Sequence, residues 1–283
     1  MTTLTSPVAR TARGTGTTLT FPGVLRSEWI KLRSLRSTVW SYVILVVLAL
    51  GMALLMSLSF VSGGGPAGAA DAAGLSSEAQ AELLVQASTF GAYFGQLVVA
   101  VLGVLVISGE YSTGMIRSTL AAVPTRLPAL AAKAVVLFAV TFVMATIAAV
   151  GAFFVAASVF AGSDIAASLF DTEVILPILG SALYLGLVAL FALGVGTMLR
   201  SSAGGIATVV GVLLVLPLVL QMIPADWVQD VLPYVLSTAG VGMFSDTSAA
   251  AEATPFWENL LIVLGWVGAS IAGAAVLLKR RDA

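Results

Sequence analysis

Six stretches of this chain, residues 40–60, 90–108, 134–161, 174–199, 206–223 and 260–278, are continuously apolar and contain no Asp, Glu, Lys, Arg or His. At about 1.5 Å of rise per residue, about 20 helical residues cross the roughly 30 Å hydrocarbon layer of a bilayer. Each stretch is long enough to do so. The 13 Lys and Arg residues fall only in alternate gaps: six before the first run, three between the second and third, one (Arg200) between the fourth and fifth, and three after the sixth. The other three connections hold no cation and carry eleven of the 14 carboxylates. Because Lys and Arg are retained on the cytoplasmic side, both termini are expected in the cytoplasm, and an even number of spans requires the two termini to share a side.

Only 10% of the residues are charged and mean hydropathy is +1.06, against about 25% charged residues in an ordinary soluble domain. The expected fold is therefore an all-α membrane protein with six transmembrane helices. The chain has no Cys and no His, which excludes disulfides, thiol catalysis and cysteine metal sites and removes the commonest metal ligand and neutral-pH proton carrier. No catalytic residue, metal site or cofactor site is expected on this chain. Its expected surroundings are membrane lipid, not nucleic acid.

Residues 1–23 are rich in Thr, Gly and Arg and read as a disordered cytoplasmic leader; residues 24–281 read as a single six-span domain. From residue 24 to 39, Leu25, Trp29, Leu32 and Val39 recur at helical spacing with Arg26, Lys31 and Arg33 toward the flanks. That pattern predicts an amphipathic helix at the cytoplasmic membrane surface, its apolar stripe toward acyl chains. Two roles stay open for it: a basic flank that fixes topology, or an element that also contacts a partner subunit. Glu28 favours the second, since a purely lipid-facing basic helix gains nothing from a carboxylate.

The connection after the second run reads SGEYSTGMIRSTLAAVPTRLPALAAK. Glu110 is expected just beyond the membrane end of its helix, and Gly114 supplies a turn before a short amphipathic segment over residues 115–122. Pro124 ends that segment, Arg126 and Pro128 follow, and Lys133 is expected to anchor the third span at the interface. A short helix held between two spans is a suitable lever for another protein to push.

Together, the leader SEWIKLRSLRST, the segment GEYSTGMIRSTLAAVPTR and six spans with a long outer connection before the last resemble the permease subunits of type 2 ATP-binding-cassette exporters. The resemblance implies that the leader is an interfacial connecting helix and the loop a coupling helix that docks into a nucleotide-binding subunit. Glu110, Gly114 and Met115 match the family pattern and Pro124 its downstream turn, with Ile116, Arg117 and Arg126 on the same segment. It further implies an ATP-binding partner that carries ATP and Mg²⁺, and a second permease copy, identical or not. The implied activity is export of a drug-like, lipid or peptide-like compound across a bacterial cytoplasmic membrane. High Ala, Val and Gly content fits a high-GC, actinobacterial-like source. No G-x-x-x-x-G-K-[ST] run occurs, so ATP hydrolysis is expected on a separate subunit.

Spans without charge weigh against a proton- or sodium-coupled carrier, which would need carboxylates or ion sites near the midplane, and they suit an apolar or amphipathic cargo. Tyr93, Gln96, Ser181, Tyr184 and Gln221 either line a pathway or hydrogen-bond between helices. Gly265, Ala269 and Gly273 recur at four-residue spacing and permit close helix approach, either within the molecule, the favoured reading, or at a dimer seam. Residues 224–257 predict short helices or a re-entrant hairpin at the outer leaflet, and residues 62–88 a Gly-rich linker with a helical lead-in to the second span. A non-transporting scaffold or a secondary carrier are the competing readings.

Overall fold

The computed structural model describes residues 20–63, 75–112, 114, 127–163, 165–245 and 254–280, and among them there is helix but no strand. Lipid offers backbone groups no hydrogen-bond partner, so each apolar run closes its own bonds as helix. Helix α1 (Phe21–Ser34) precedes the first span, α2 (Arg36–Val61). The second span is a lead-in helix, α3 (Ser77–Thr89), continued by α4 (Ala92–Ser112). The third and fourth are α5 (Leu127–Phe160) and α6 (Thr172–Leu199).

The fifth span is α7 (Ser202–Val210), a wide π turn at Gly211–Val215, and α8 (Leu216–Gln221). Pro217 cannot donate to the carbonyl one turn back, and the wide turn before it absorbs that loss. Two short helices, α9 (Asp226–Val231) and α10 (Leu236–Val241), precede the sixth span, α11 (Phe256–Arg280). Six helices are thus long and apolar enough to cross a membrane. The short helices match the helical form expected for residues 224–257 in their described part, and α3 matches the lead-in.

Helix α6 is the axis of the bundle, with α4, α5 and α11 packed around it. It is buried along most of its length. Close approach to α4 depends on Gly103: a Cβ there would lie 2.5 Å from the Ala189 carbonyl oxygen. Buried hydroxyls cost little because they bond back within their helices, as Ser57 does to the Ala53 carbonyl at 2.7 Å and Thr197 to that of Leu193 at 2.7 Å.

Three expectations need correction. The leader helix begins at Phe21, inside the segment read as disordered, because Pro22 sits in its first turn, where no N–H is needed. It also stops at Ser34, where Leu35, in extended conformation, separates it from α2. Finally, a Cβ on Gly265 would meet no atom within 4 Å and Ala269 is exposed, so of the three only Gly273, where a Cβ would lie 2.7 Å from the Met198 sulfur, packs closely against another helix. The buried face of α11 is instead Asn259, Val263, Val267, Ser270, Ala274 and Leu278.

Candidate functional site

The six spans alternate in direction, so the start of α2, the end of α4, the start of α5 and the α6–α7 connection share one end of the bundle. Among the described residues, this end holds Arg26, Lys31, Arg33, Arg36, Lys133 and Arg200. Helix α1 lies across it and packs chiefly on α5, with Val24 against Ala129 and Ala132. Its buried residues are Val24, Glu28 and Leu32, four apart on one face, while Trp29 and Ile30 are exposed. The stripe assigned to acyl chains is therefore divided: Leu32 belongs to the core and Trp29 to the surface. The carboxylate sits in the middle of the buried face.

Glu28 meets three other charges there. Its Oε2 lies 2.5 Å from the Lys133 Nζ and its Oε1 2.8 Å from the Lys31 Nζ. Lys133 also reaches Glu110 Oε1 at 2.8 Å, and Lys31 reaches the same oxygen at 3.2 Å. Among the described residues, two carboxylates and two ammonium groups of balanced charge thus form a cluster joining α1, the last turn of α4 and the second turn of α5. Glu28, Glu110 and Lys133 are all buried, at 3%, 6% and 6% exposure. Lys31 is the member that reaches solvent, its side chain 29% exposed.

Burial alone would raise the Glu28 carboxyl, but the charge and hydrogen bond of Lys133, with help from Lys31, outweigh it and hold the group below the ordinary carboxylate range. Burial would likewise lower Lys31, yet its hydrogen bond to Glu28 and the charges of Glu110 and Glu28 leave it above its ordinary value. Both shifts favour the charged forms.

Two sequence expectations change here. Lys133 is not an interfacial anchor but the hub of the cluster, because two carboxylates from separate helices converge on it. Glu110 is not beyond its helix but within α4, facing inward. Gly114 does turn the chain, with φ +70°. Met115, Ile116, Arg117, Pro124 and Arg126 lie outside the described residues. On the same end, the Arg200 guanidinium sits 5.2 Å from the centre of the Tyr111 ring, and Ser202 donates to Ser108 at 2.8 Å. Of the remaining leader residues, Arg26 and Arg33 are exposed.

The polar residues read as a possible pathway lie away from this end. The Tyr184 hydroxyl donates to Gln96 Oε1, joining α6 to α4, and Phe244 packs against Tyr93 and Tyr184. Ser181 bonds the Ile178 carbonyl of its own helix at 2.8 Å, and Gln221 is exposed at the end of α8. Among the described residues no group of Asp and Glu could hold a metal ion.

Six spans and a charged knot at the base of one loop define a multi-pass membrane protein with a braced end. Residues 23–283 match the family described as ABC-2 family transporter protein, and the chain belongs to that family. No curated protein matches it. As such it is a transmembrane permease of an ABC transporter, a class whose membrane subunits are typically non-catalytic and work as dimers with an ATP-binding subunit.

Proposed function

We propose that this chain exports a hydrophobic or amphipathic compound from a bacterial cytoplasm, driven by ATP and Mg²⁺ held on a separate subunit, with two permease copies per complex. The observation that carries this reading is the bracing of the segment over residues 113–126. Both of its ends, Ser112 and Leu127, emerge from helices joined by the Glu110–Lys133 pair. A lever transmits force only if its base is stiff. Gly114, Met115, Ile116, Arg117, Pro124 and Arg126 then form the surface offered to the ATPase, while Glu110 supports it from within. Spans without charge suit an apolar cargo. Alternate segregation of cations supports a cytoplasmic location for both termini and for this segment.

Purification in gentle detergent tests the reading. A P-loop ATPase should co-purify, and Arg117→Glu should release it without reducing the amount of permease in the membrane. An intact complex lacking any ATPase would refute the proposal. Impermeant labelling of single cysteines at Arg117 and Lys279 should modify both from the cytoplasmic side, and labelling from opposite sides would overturn the orientation.

A further inference from the structure

The second span has a gap in its helical hydrogen bonding. Phe90 still donates to the Gln86 carbonyl at 3.1 Å, and regular bonding resumes where Gly95 donates to the Gly91 carbonyl at 2.8 Å; between them Tyr93 makes only a tighter bond, to the Phe90 carbonyl at 3.2 Å. The carbonyls of Ala87, Ser88 and Thr89 and the N–H groups of Gly91 and Ala92 therefore have no backbone partner among the described residues. All five residues are buried. The gap borders a small cavity lined by Ser88, Thr89, Gly91 and Ala92, by Ala49 about halfway along α2, and by Ser181 of α6, with room for about one water molecule. The backbone of α2 closes one side, since a Cβ on Gly91 would lie 2.6 Å from the Ala49 Cα. We propose that this cavity is a binding site for a water molecule, which bridges the unpaired backbone groups where α3 meets α4.

Inside an apolar bundle an unanswered backbone group is costly, and lipid cannot answer it. The neighbouring hydroxyls do not supply the missing donors, because Ser88 and Thr89 donate to the Val85 carbonyl at 3.0 and 2.8 Å and Ser181 donates to that of Ile178 at 2.8 Å. Their oxygens can still accept. Acceptors thus outnumber donors at the gap, and the ligand that fits must be small, donate hydrogen bonds and accept from an N–H. Water does all three. A bare cation would answer the carbonyls but oppose the two N–H groups, with no carboxylate among the described lining residues to offset its charge. An acyl chain would leave every polar group unanswered. The site also lies at a boundary: Leu84, Val85 and Ala87 of α3 join an apolar cluster with Phe153 and Phe160, whereas Ala92 of α4 belongs to the main core. The bridging water joins the two halves of the span where helical bonds do not. Neither the cargo nor the ATPase enters this inference.

Radiolytic hydroxyl-radical labelling reads bound water directly, because a short X-ray pulse makes radicals from the water itself and these oxidise the side chains touching it. In the whole chain reconstituted in lipid nanodiscs, Leu45 and Leu185, which line the cavity, should be oxidised several-fold faster than Leu102 and Leu193, buried elsewhere in the same core; all four are 4% exposed or less. Ser181→Val fills the cavity and removes an acceptor, and should bring Leu45 and Leu185 down to the rate of the other two. Equal rates in the unaltered chain, or an excess that survives Ser181→Val, would overturn the proposal. Should that variant fail to fold, the comparison within the unaltered chain still decides. Replacing Na⁺ and K⁺ in the buffer by choline separates water from a bound cation. The labelling should not change, and a rise at Leu45 and Leu185 on removing the alkali cations would assign the site to an ion and overturn the proposal.

Discussion

Replacing Lys133 with methionine removes the charge at the hub of the buried cluster and keeps most of the side chain's length. The ammonium is 2.5 Å from Glu28 and 2.8 Å from Glu110, so its loss deprives two buried carboxylates of their shared partner and leaves Lys31 beside them. Removing one partner of a buried ion pair costs about 3–5 kcal/mol. For a chain of this size about 1 kcal/mol lowers Tm by roughly 2–4 °C, so a drop of about 10 °C is expected. Lys279→Met, at an exposed position, should change Tm little. Adding Glu110→Gln to Lys133→Met restores neutrality, with Glu28 still paired to Lys31, and should recover much of the loss; coupled neighbours typically show interaction energies of about 0.5–3 kcal/mol. Thermal unfolding of the purified protein, followed by tryptophan fluorescence, measures all three variants. A cost for Lys133→Met below about 1 kcal/mol, the worth of an exposed pair, would refute the argument that these charges are buried and interdependent.

The same cluster sets a pH dependence. Glu28 is held below its ordinary value of 4.5, so its contribution is complete above that value and fades as pH falls through the lowered one; Lys31 is raised above 10.5, so its contribution is complete below 10.5 and fades at more alkaline pH. The stability difference between the unaltered chain and Glu28→Gln should therefore be flat across neutral pH and shrink in acid and again above pH 10.5, as Tm measured against pH would show. Gly240→Ala would put a methyl group into the Tyr184 ring, whereas Gly265→Ala meets open space. The first should lower stability by about 1–3 kcal/mol and the second should leave it unchanged or slightly raised, by the same fluorescence assay. Tyr184→Phe removes the hydroxyl that donates to Gln96 and should cost about 0.6 kcal/mol, the mean for such bonds between membrane helices, and no more than about 1.7; a double-mutant cycle with Gln96→Leu checks it.

Much of the candidate site was within reach of the primary structure. With eleven carboxylates in the cation-free gaps, only Glu28, Glu110 and Asp282 remain among the basic connections. Two of these three pair with lysines in the folded chain. A carboxylate left on the cationic side was the available signal, and it pointed correctly to Glu28 as an oddity. What it did not reveal was the partner, because Glu28 and Lys133 are 105 positions apart and periodicity reports only on neighbours within one helix. Lys133 was misplaced for the same reason. A lysine at the start of an apolar run looks like an interfacial anchor unless another helix covers it. The Gly265 and Ala269 stripe shows the converse, since small side chains permit close packing without stating which helix, if any, arrives.

Hydrophobic length and the placement of cations determined the number of spans and where each lies in the chain, though not the ends of the helices, because transfer of apolar surface into lipid depends on composition and length, which are local properties of the chain. The family could be inferred from the order of short motifs around those spans. Only the tertiary structure decided that α6 is the central helix, that the leader turns its carboxylate inward, and that four charges from three helices neutralise one another at the base of the loop. Electrostatic energy depends on distances between groups and on the water excluded from between them, and neither exists until the helices have packed.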